Sequence, residues 1–121
     1  MTTADQILSA RIAAVATRHT ARGKVDDLDA AVAELRELAG HRPDLLAEVA
    51  GVALGMAEVG LIALAPKHRA EAKLCIAAGA GPSDVQKWIE VGRKRAAQAR
   101  MTPYTGASRP NLVPVAPGAC S

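Results

Sequence analysis

Aromatic side chains are nearly missing: the chain of 121 residues has no Phe, one Trp (Trp88) and one Tyr (Tyr104). Its interior must therefore be built from Ala, Leu, Val and Ile, which bury little area apiece, so the packed faces have to be long. The same scarcity argues against single-stranded nucleic-acid binding, where bases stack on rings. Cysteine is scarce too. Cys75 and Cys120 form no spaced pair, and His19, His41 and His68 fall in different segments. A disulfide framework and a four-ligand zinc site both lack their residues. No stretch alternates as a strand, so no glycine loop follows one to cradle a phosphate. The first residues contain no continuous apolar run, and a reducing cytoplasm is the expected compartment.

What is abundant is alanine and leucine at helical spacing. Leu8, Ile12 and Val15 predict a first helix over 4–21, ended by Gly23. Val25, Leu28, Val32, Leu35 and Ala39 alternate three and four apart, the seam of a second helix stopped by Gly40. Asp26, Asp27 and Asp29 crowd its first turn, beside backbone N–H groups that lack an intrahelical partner. A third helix is expected from Pro43 to Ala65. From Leu45 onward it is apolar all round apart from Glu48 and Glu58. Those two carboxylates, several glycines and the missing aromatic belt place it inside a bundle rather than a bilayer. Its Gly51-x-x-x-Gly55 ridge suits a close helix crossing. Pro66 to Ala78 predicts a fourth helix. A fifth, capped by Ser83 with Gln86 completing a capping box, runs to about Arg100 with Val85, Trp88, Ile89, Gly92 and Ala96 on one face.

The fold expected is thus all-α: a compact bundle of four to five helices over residues 1–100. A Pro- and Gly-rich tail follows over 101–121, containing Pro103, Pro110, Pro114 and Pro117, and is expected to be disordered. Pro114-Val115-Ala116-Pro117 is formally a PxxP, a tetrad that arises easily in such tails.

Charge is segregated along the chain although the net value is only +3. Residues 1–24 balance at +3 and residues 25–48 at −5, whereas residues 67–100 hold eight bases against Glu71, Asp84 and Glu90. Such alternation suits antiparallel helices that neutralise one another; it also suits a basic surface meant for a partner. Within residues 70–92 the order of Cys75, Gly79, Val85 and Trp88 has the look of a helix-turn-helix. A small residue admits the second helix, a glycine reverses the chain, and two apolar anchors seat the reader. Ser83, Lys87 and Lys94 would then face a groove, with Arg93, Arg95 and Arg100 available for phosphates. Asp84 and Glu90 depart from that pattern, because both would repel a phosphate backbone. The plain alternative is a helical hairpin whose turn uses glycine because turns need it.

No acid–base, nucleophilic or metal constellation is visible, so the expected role is that of a non-enzymatic accessory protein without cofactor, acting by binding. Its partner would be duplex DNA or an acidic protein met by 67–100. The alternative is a helical adaptor or homo-oligomeric scaffold without nucleic-acid contact. Residues 74–104, with their Ala-Gly-Ala turn, Trp-Ile-Glu segment, Arg-rich end and Pro103-Tyr104 exit, resemble the ends of short uncharacterised all-helical proteins of high-GC Gram-positive bacteria. That resemblance implies a helical fold and lineage and assigns no activity.

Overall fold

The computed structural model describes residues 2–101, with side chains through Ala99; residues 102–121, including the expected tail and its PxxP, lie outside the described residues. The bundle is all-α. Five α-helices span Ala4–His19 (α1), Leu28–Ala39 (α2), Pro43–Val59 (α3), Ala65–Ala77 (α4) and Pro82–Met101 (α5), and a 3-10 turn at Ile62–Leu64 joins α3 to α4. Among the described residues, no helix is long and apolar enough to cross a membrane.

Contacts between ends fix the directions. Asp5 at the start of α1 meets Arg42 just before α3, and Thr17 near the end of α1 meets Glu71 and Lys67 on α4. Arg36 near the end of α2 donates to the Ala77 carbonyl at the end of α4. Glycine contacts pair position 51 with 85 and 88, position 55 with 89 and 92, and position 60 with 96. Helices α1, α3 and α5 therefore run one way, while α2 and α4 return.

Helix α3 is the axle. It packs against α1, α4 and α5, and α5 rests chiefly on α3 alone. Leu46, Ala47, Ala50 and Gly51 of α3 are buried together with Ile12, Ala16, Leu35, Leu74 and Cys75 from its neighbours. Ring-free side chains fill this core by bringing main chains close. A Cβ added at Gly55 would lie 2.1 Å from the Ile89 carbonyl oxygen, and one at Gly92 would lie 2.2 Å from that of Val52. The seam thus uses glycine from both sides, as the ridge on α3 and the apolar face of α5 predict. Gly79, at φ +118°, makes the reversal between α4 and α5, a backbone that L side chains rarely adopt.

Local boundaries differ from the sequence reading in four places, each for a local reason. Helix α1 stops at His19, where the buried Thr20 hydroxyl donates back to the Ala16 carbonyl, so Gly23 lies further along in the loop. Helix α2 starts at Leu28 rather than Val25, because Asp27 accepts from the Ala30 N–H and serves as the cap. Helix α3 ends at Val59: Gly60 turns extended and the chain tightens into the 3-10 turn before α4. Helix α5 opens at Pro82, which places Ser83 inside the first turn and leaves the expected cap unused.

Candidate functional site

The bases of α5 were the expected binding residues, and the bundle sends them in different directions. Ser83 and Lys87 are exposed, with the Lys87 ammonium 3.5 Å from Asp84. Arg93 turns to α3, where its guanidinium lies 2.7 Å from Glu58 and 3.2 Å from Glu90; both carboxylates raise its pKa further. Lys94 faces solvent. Arg95 lines a groove shared with α1, α3 and α4. The Arg100 side chain lies outside the described set. Helices α4 and α5 each take α3 as principal partner, so the two halves of the expected helix-turn-helix are mounted on a third helix. Part of the segregated charge is spent on ion pairs between elements: Asp5 with Arg42, Glu34 with Arg18 and His19, Glu58 with Arg93.

The groove beside Arg95 has a volume of about 530 Å³. Val49, Val52 and Met56 of α3 form its floor, and Gln6, Ala10, Ala13 and Thr17 of α1 form one wall. Its polar end is organised around Glu71, which is only 8% exposed. One carboxylate oxygen accepts from the Thr17 hydroxyl at 2.8 Å and from the Lys67 ammonium at 2.6 Å. The other lies 3.1 Å from His68 Nδ1. Burial pushes this carboxyl up, but the hydrogen bonds from Lys67, Thr17 and His68 outweigh it and hold the group below its ordinary value. Glu71 is thereby an ionised, fully engaged strut joining α1 to α4.

One helical step away, Cys75 is completely buried, and burial with the Glu71 charge pushes its thiol up to about 12. Native protein at neutral pH is expected to leave Cys75 unmodified by a maleimide until denaturant is added. Peptide mapping by mass spectrometry checks this outcome.

The outer side of α4 is different in kind. Arg69, Ala72, Lys73, Ile76 and Ala77 share one face and, with Leu54 of α3, line a shallow groove of about 450 Å³. Ile76 is 48% exposed. Two cations and no acid line this groove, and neither Arg69 nor Lys73 has an ion pair among the described residues. Sequence reasoning passed over this face because α4 is apolar on two sides: Leu74 and Cys75 point inward while Ile76 and Ala77 point out. The spacing Arg69, Ala72, Lys73, Ile76 carries the signal once the inward side is known. No known protein family, curated protein or solved structure matches this chain.

Proposed function

We propose that the protein is a non-enzymatic binding module that docks an acidic, amphipathic segment of a partner protein on the outer face of α4. The observation that carries this reading is the apolar pair Leu54 and Ile76 set beside two cations that have no acidic partner among the described residues. Apolar side chains entering the groove supply burial, and carboxylates at their flanks meet Arg69 and Lys73. Self-association through the same face is disfavoured, because a second copy would bring its own Arg69 and Lys73 against the first. The DNA reading loses support from α5, whose Arg93 and Lys87 already answer acids of the same chain.

The probe is a synthetic helical peptide with leucines at i, i+3 and i+7 and glutamates on both sides of that stripe, compared with its lysine counterpart. The acidic peptide is expected to shift the methyl resonances of Leu54, Ile76 and Ala72, and the basic one to leave them unmoved. The double variant Arg69→Glu/Lys73→Glu should weaken binding tenfold or more, and Ile76→Asp should do the same by removing the apolar anchor. Equal response to both peptides would overturn the proposal. So would retention on duplex DNA that falls steeply with salt and vanishes when Lys87, Lys94 and Arg95 are replaced.

A further inference from the structure

The 3-10 turn between α3 and α4 holds the most exposed apolar cluster of the described chain. Leu61 is 65% exposed, Ile62 90% and Leu64 43%. Large aliphatic side chains grouped this way on a surface mark a place that something covers. Three side chains offer far less than the roughly 800 Å² per partner of a standard interface between proteins, so a second copy is a poor candidate.

A nearer occupant is at hand. Helices α3 and α5 run parallel, and a Cβ on Gly60 would lie 3.7 Å from that of Ala96. Met101 is therefore about one and a half turns beyond a point adjoining this cluster. The chain that follows contains one mainly aliphatic stretch, Leu112-Val113-Pro114-Val115-Ala116. Leu112 is eleven residues past Met101, a reach of up to about 36 Å when extended. That stretch carries no charge and has prolines at 110, 114 and 117 that restrict its backbone, lowering the entropy lost on docking.

We propose that residues 112–116 of the same chain fold back over Leu61, Ile62 and Leu64. The covered cluster lies at the end of α4 opposite Ile76, so this contact and the peptide groove are independent.

Cys120 gives the experiment its handle, since Cys75 is buried and its thiol is held protonated. A nitroxide is attached to Cys120 in the full chain, and relaxation broadening is read on the methyls of Leu61, Ile62 and Leu64. Tethering alone brings the label near, so the control is the same labelled chain with Leu112→Ser, Val113→Ser and Val115→Ser. The expected result is broadening several-fold stronger in the parent chain than in the triple-serine control, and a comparable loss in Ile62→Ser read at Leu61 and Leu64. Equal broadening in parent and control would overturn the proposal. Broadening that passes to isotope-labelled copies carrying no nitroxide would also overturn it, by showing the contact to lie between chains.

Discussion

Gly55→Ala is expected to destabilise the protein by about 2–3 kcal/mol, a net figure in which the better helix propensity of alanine is outweighed by overpacking. The added methyl would lie 2.1 Å from the Ile89 carbonyl oxygen, 2.6 Å from the Arg93 nitrogen and 2.9 Å from the Gly92 carbonyl carbon. All three are backbone atoms of α5. No rotamer change relieves the clash, so the whole helix must back away and the matching approach of Gly92 to Val52 opens with it. Thermal unfolding should move down by roughly 10–20 °C for a domain of this size. Hydrogen exchange should rise first in α5, which rests chiefly on α3. Gly81→Ala is the control. Its Cβ would meet only Asp84 Oδ2 at 3.5 Å, an ordinary contact. A change within about 0.5 kcal/mol is expected there. If Gly55→Ala proved equally mild, the close seam between α3 and α5 would be wrong.

Glu71→Ala is expected to cost about 2–3 kcal/mol, measured by urea unfolding at pH 7. The substitution removes the acceptor shared by Thr17, Lys67 and His68, all near a side chain that is 10% exposed. Lys67 is 26% exposed and can turn toward water, which keeps the loss below that of a fully sealed pair. Glu71→Gln keeps the shape and part of the hydrogen bonding, and should recover about half. The pH dependence has a definite sign. The folded-state pKa lies below the ordinary value of 4.5, so the unfolded chain binds this proton more readily. The stabilisation is present above that ordinary value and is lost as pH falls through the lower folded one. Unfolding curves between pH 5 and 3 should therefore converge for the parent and Glu71→Gln. Asp5, Glu34 and Asp44 are also lowered, by Arg42 or His19, but they are solvent-screened and contribute a smaller slope.

Much of this architecture could be read from spacing alone. Ile12, Leu35, Ala39 and Val85 are buried where helical period puts them, and the ridge at Gly51 and Gly55 does face a close crossing. Periodicity assigns a face to each helix but not its companion. Cys75 and Val85 are core residues as expected, yet the helices carrying them take α3 as common support, which no local pattern encodes. Charge needs the same long-range information. Arg93 looked available until the fold brought Glu58, thirty-five residues earlier, to 2.7 Å. Conversely, Arg69 and Lys73 stand out only once their side of α4 is known to be the outer one. The shallow groove along α4 is thus the part least legible from sequence.

The common direction of α1, α3 and α5 has an electrostatic consequence. Three helix N-termini gather at one end of the bundle, and each brings a partial positive charge of roughly half a unit from its aligned peptide dipoles. Every one of them holds an aspartate in its first turn: Asp5, Asp44 and Asp84. Arg42 ties the first two together across the gap, with guanidinium nitrogens 3.0 Å from each. The returning α2 and α4 bring the opposite poles of their dipoles to that same end, so it is a mosaic of both signs in which each carboxylate answers the N-terminus it sits on.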